Sequence, residues 1–101
     1  MTSVTPPEDC QTMIAVRAGV DALDRELVAL LARRFAYMRA AARIKPERGM
    51  VRDEARKSAV IAAARAEAER LGAPAVRIAG LWEVLVESSI AYELEWFDQH
   101  G

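Results

Sequence analysis

LVALLARRFAYM, residues 27–38, decides the fold. Its apolar residues recur at the spacing of a helix that buries one face. Working outward, Val16, Val20 and Leu23 extend the same stripe upstream, and Ala41 extends it downstream. The first helix is predicted from about Gln11 to Ile44 or Lys45. Pro46 ends it, because the residue before a proline is pushed out of the α region. After the loop PERGM, Asp53 supplies an N-cap or first-turn acid for a second helix, DEARKSAVIAAARAEAERL. Gly72 and Pro74 stop that helix, and a third is predicted over roughly Ala75 to Asp98. No sustained period-two alternation and no Asn-Gly or Asp-Gly turn is present, so the predicted class is all-α.

The 101 residues suggest a single domain, 1–101, with 1–10 a flexible lead-in. A helix of about 34 residues spans roughly 50 Å, and the other two are too short to cover its whole apolar stripe. The alanine-rich second helix buries little area per residue. An intertwined homodimer, with long helices paired across it, is therefore expected.

Hydrophobic residues make up 52%, too many for a disordered chain. The net charge of −1 gives no overall field for nucleic acid or an acidic membrane, so neither is expected as a partner. Cys10 is the single cysteine, which excludes an intrachain disulfide framework and is expected to be inert. The polar start MTSVTPPEDC lacks the apolar core of a secretory signal. Nor is there a run of about 18 apolar residues. A cytoplasmic protein is the expectation.

Polar residues on the apolar stripes carry the functional signal. Arg34 falls near the middle of the first stripe, and Lys45, eleven residues on, is rotated from it by only about 20°. Arg17 lies on the edge; Arg33, Arg39 and Arg43 point elsewhere and read as solvated. Either the inward cations pair with acids or snorkel to the rim, or an anionic ligand sits among them. An unpaired buried charge costs several kcal/mol, which favours the ligand when two such cations occur together. On the third helix, Trp82, Leu85, Val86, Ile90, Trp96 and Phe97 form an apolar arc with Ser89 and Glu93 inside it. Glu93 is either the partner of Arg34 or Lys45, or a carboxyl group facing a pocket, where burial disfavours its charged form. Asp53 and Arg56 share a face at the start of the second helix, a common surface spacing.

The only histidine, His100, is one residue from the end, so neither a Cys–His nor a Ser–His pair is expected. Metal-ligand clusters and a glycine-rich phosphate loop are also missing from the sequence. No covalent intermediate, metal or cofactor is expected. Electrostatic preorganisation remains: arginines clamp carboxylates and other donors stabilise developing charge. That suits a small dicarboxylate whose reaction needs a restricted conformation.

The order Arg17, Asp21, Asp24, LVALLARR, Lys45, VRDEAR, then Ser89 and Glu93, resembles the all-helical AroQ-type chorismate mutases over roughly residues 10–98. The resemblance implies a three-helix chain in an interlocked dimer that rearranges chorismate to prephenate without a cofactor. It implies that Arg34 binds one substrate carboxylate and Arg17, from the partner chain, binds the other. Lys45 would donate to the ether oxygen of the breaking C–O bond. Arg56 would support the substrate, and Asp53 and Ser89 would make peripheral contacts. Glu93 stands where the family usually has a glutamine that also donates to that oxygen, a role only a protonated glutamate can fill.

Two positions depart from the family pattern. Lys57 replaces the usual glutamate that reads the ring hydroxyl, and the loop KPERGMV is one residue short. That loop, with Gly49, is predicted to be a mobile lid. The lead-in PPEDC and the ending IAYELEWF resemble the related isochorismate pyruvate lyases, ranked second because Arg56 is retained. Lys57 motivates a third option, a 4-amino-4-deoxychorismate mutase. The non-enzymatic alternative is a helical dimerisation module in which Arg34, Lys45 and Glu93 pair with one another.

Overall fold

The computed structural model describes residues 4–100. Among these residues there are three α-helices and no strand: α1 Met13–Ile44, α2 Glu54–Arg70 and α3 Ala75–His100. Two single 3-10 turns, Pro7–Asp9 and Arg48–Met50, precede α1 and α2 respectively. The family of folds expected from the periodicity is thus observed, with each helix within about two residues of its predicted bounds.

The helix ends follow from local chemistry. Thr12 caps α1, its Oγ1 accepting from the Ala15 amide at 3.2 Å. At the other end the Lys45 amide still donates to the Ala41 carbonyl, at 2.9 Å, so helical geometry fixes Lys45 although Pro46 forbids another turn. Asp53 caps α2, its Oδ1 accepting from the Arg56 amide at 3.0 Å. α2 closes in a Schellman motif. The Ala73 amide reaches the Ala68 carbonyl at 2.8 Å, and Gly72 adopts the left-handed φ of 71° that the motif requires.

The chain divides into two compact units, one ending at Arg34 and the other starting at Phe35, so the boundary falls inside α1. In the first unit, the segment from Val4 to Cys10 borders an apolar pocket of about 370 Å³ that Val16, Gly19, Val20 and Leu23 also line. Gly19 lies close to this segment, and a Cβ there would make an ordinary van der Waals contact of 3.5 Å with Val4 Cγ1. Val16, Val20, Leu23, Leu27 and Leu30, the stripe that defines α1, are all exposed in the single chain.

In the second unit, α2 packs on α3. Val51, Val86 and Ile90 are the buried centre, with Val60, Ile61, Trp82 and Leu94 around them. Val51 plugs the α1–α2 connection into this core. Arg48, three residues earlier, grips Asp98 through two hydrogen bonds of 2.8 and 3.2 Å. The segment expected to be a mobile lid is therefore held at two points. Periodicity does not reveal the Asp98 contact, which comes from fifty residues away.

Candidate active site

Lys45 and Glu93 meet. The Lys45 ammonium donates to Glu93 Oε2 at 2.8 Å, with the lysine side chain 30% exposed and the glutamate 5%. Two elements make this contact: the end of α1 carries Lys45 on the Arg34 stripe, and the middle of α3 carries Glu93 on its apolar arc. Of the two readings for Glu93, partner of a cation or carboxyl group facing a pocket, the geometry realises the first directly. It does not thereby exhaust the lysine. An ammonium has three N–H donors, and Glu93 takes one.

Ser89 lies one turn before Glu93 and is buried; its hydroxyl donates to the Leu85 carbonyl at 2.7 Å. Asp53 is occupied as a helix cap, and its partner in Arg56 is the backbone amide. The Arg56 side chain is exposed on the first turn of α2. In the other unit, Arg34 is half-buried and Arg17 is exposed, both on α1. The second unit thus joins Lys45 directly to Glu93 and holds Ser89 on the same face of α3.

Lys57 is tied down. Its ammonium lies 2.7 Å from Glu83 and 2.9 Å from Glu87, and its side chain is 17% exposed. Arg52 contributes to the same network, 2.9 Å from Glu87 and 2.9 Å from Glu54. Hydrogen bonds donated by Arg52 and then Lys57 hold the pKa of the Glu87 carboxyl down to about 2, while those that Lys57 donates to Glu83 and then Glu87 raise the pKa of its own ammonium. The position that the family resemblance associates with reading the ring substituent therefore carries a cation already engaged by two carboxylates.

Sequence reasoning missed Arg39. It was expected in solvent, yet its Nη1 donates to the Tyr92 hydroxyl at 3.0 Å and its guanidinium sits 5.8 Å from the centre of the Trp96 ring. Tyr92 meets Phe35 edge-on, with ring centres 5.0 Å apart. These contacts brace the last third of α1 against α3, on the helix that presents Lys45. Among the described residues, no cluster of three His, Cys, Asp or Glu side chains is placed to hold a metal. Among them, too, no helix is long and apolar enough to cross a membrane.

Three helices, with a lysine from the end of the first held against a buried glutamate of the third, define an all-helical chain of the AroQ class. The chorismate mutase type II family matches residues 16–94, and the chain belongs to it. An isochorismate pyruvate lyase from Pseudomonas aeruginosa is 29% identical over 93 residues, covering 92% of this chain and 92% of that protein.

Proposed function

We propose that this chain is a chorismate mutase, acting as a homodimer on chorismate through a single pericyclic step. The observation that carries the proposal is the Lys45–Glu93 pair, an ammonium aimed by a buried carboxylate and still partly open. In the Claisen rearrangement one C–O bond breaks as one C–C bond forms, and negative charge accumulates on the ether oxygen. A free N–H of Lys45 meets that charge, and Glu93 fixes the direction of the lysine. Arg34 takes one substrate carboxylate and holds the folded conformer, so that the reacting carbons stay close. Arg56, Asp53 and Ser89 border the substrate.

Arg17 cannot complete this clamp within one chain. It lies seventeen residues from Arg34 on a continuous helix, about 26 Å away at the helical rise. A small diacid does not span that distance, so the second arginine comes from a partner's α1.

A second reading is an isochorismate pyruvate lyase. The named relative favours it, as do the segments PPEDC and IAYELEWF. The same clamp and the same lysine would serve, because elimination of pyruvate also loads charge on the ether oxygen. The engaged state of Lys57 leaves the ring substituent without an obvious reader at that position. The deciding experiment is incubation with chorismate and, separately, isochorismate, with products identified by mass. Prephenate supports the mutase; salicylate with pyruvate supports the lyase. Neither product, with no ligand-induced rise in Tm, favours the helical dimerisation module.

A further inference from the structure

A second pocket, of about 400 Å³, lies between the end of α1 and the last turns of α3, lined by Arg43, Lys45, Pro46, Trp96, Phe97 and His100. Its size falls in the range of sites for small organic ligands. Its chemistry is specific. Trp96 and His100 stack in parallel, with ring centres 3.6 Å apart and planes 13° from each other, and form a flat aromatic wall. The His100 Nδ1 is engaged by the Trp96 carbonyl at 3.0 Å, which fixes the ring and leaves Nε2 available. Phe97 and Pro46 add apolar surface. Two cations complete the lining. Arg43 is exposed and makes no ion pair or side-chain hydrogen bond among the described residues, and Lys45 is the lysine already held on another side by Glu93. Among the described residues no carboxylate lines the pocket, and Asp98, next to Phe97, is paired with Arg48.

We propose that this pocket binds a small planar aromatic carboxylate. The ring packs against the Trp96–His100 stack and Phe97, where flat apolar surface favours a flat partner. The carboxylate takes the Arg43 guanidinium, whose planar fork matches two oxygens, and draws on Lys45. Because Lys45 belongs to both places, an occupant competes with Glu93 for the ammonium and slows turnover. This last consequence rests on the function proposed above; binding itself does not.

The test is calorimetric titration of the full-length protein with benzoate, followed in parallel by tryptophan fluorescence. Benzoate is expected to bind and quench, benzamide to bind at least tenfold more weakly for lack of charge, and cyclohexanecarboxylate at least tenfold more weakly for lack of a flat ring. Arg43→Ala is expected to weaken benzoate at least tenfold, and Arg34→Ala to leave it unchanged. Loss of binding in Arg34→Ala with retention in Arg43→Ala would place benzoate in the substrate clamp and overturn the proposal. So would equal affinity for benzoate and benzamide, or no heat and no quenching at millimolar ligand. A chain that binds benzoate in this pattern but turns over neither chorismate nor isochorismate would retain this site while the proposed activity failed.

Discussion

At the scale of single residues, the Lys45–Glu93 pair separates catalysis from folding. Lys45→Met strands a carboxylate that is 5% exposed, and a buried charge without its partner is destabilising. The variant should lose about 2–3 kcal/mol in urea denaturation, toward the lower end of such penalties because the lysine itself is partly solvated. It should also lower kcat by two to three orders of magnitude, the range for one preorganised donor. Glu93→Gln should separate the two effects. The amide still accepts from Lys45 and donates through its own nitrogen without needing a proton, so stability changes little. Its kcat should stay within about tenfold of the parent, because Lys45 keeps the direction that residue 93 gives it. A kcat as low as that of Lys45→Met would mean that the charge of Glu93, and not its aim on Lys45, is what the site needs. Lys45 and Glu93 were legible in the sequence because a rotation of 100° per residue shows which face each occupies. Periodicity does not show what arrives opposite, and for that reason Arg39 was misread: Tyr92 and Trp96 approach it from another helix.

At the scale of elements, the helix boundaries were legible because their determinants are local. Pro46, Asp53, Gly72 and Pro74 act through their own backbone and through residues within one turn. Gly72→Ala tests one of them. The position has a φ of 71° and open space where a Cβ would go, so the penalty is backbone strain alone. About 1 kcal/mol should be lost, with helix content by circular dichroism unchanged. The contacts that join α2 to α3 were not legible, since Lys57 and Glu87 are thirty residues apart. They carry a pH signature. Glu87 is held at about 2 against an ordinary value of 4.5. A depressed carboxylate stabilises the fold above its unfolded value, and that contribution is lost as pH falls from 4.5 through about 2. Tm measured across this interval should fall more steeply for the parent than for Glu87→Gln. The Glu87 side chain is partly exposed, so high salt should shrink the difference.

At the scale of the whole molecule, the exposed stripe on α1 and the single-chain separation of Arg17 from Arg34 point to the same requirement. Val16, Val20, Leu23, Leu27 and Leu30 are 38% to 56% exposed, on the face where a packed helix would bury them. Length exposed this requirement in the sequence, because a helix of 32 residues outruns two shorter neighbours. The same length argument leads to the expectation of a second copy of the chain as the covering surface, and the family resemblance implies it independently. Complementation tests it. Arg17→Ala and Arg34→Ala should each be nearly inactive as homodimers. When the two are mixed, unfolded and refolded together, half of the dimers carry one chain of each kind. Each mixed dimer contains one site with both arginines intact and one with neither, so about a quarter of all sites recover under isologous twofold symmetry. Activity should rise to about that fraction of the parent and reach it only after chain exchange. No recovery after verified exchange would mean that Arg17 acts within its own chain or not at all, because no arrangement of a shared clamp leaves every mixed dimer inactive.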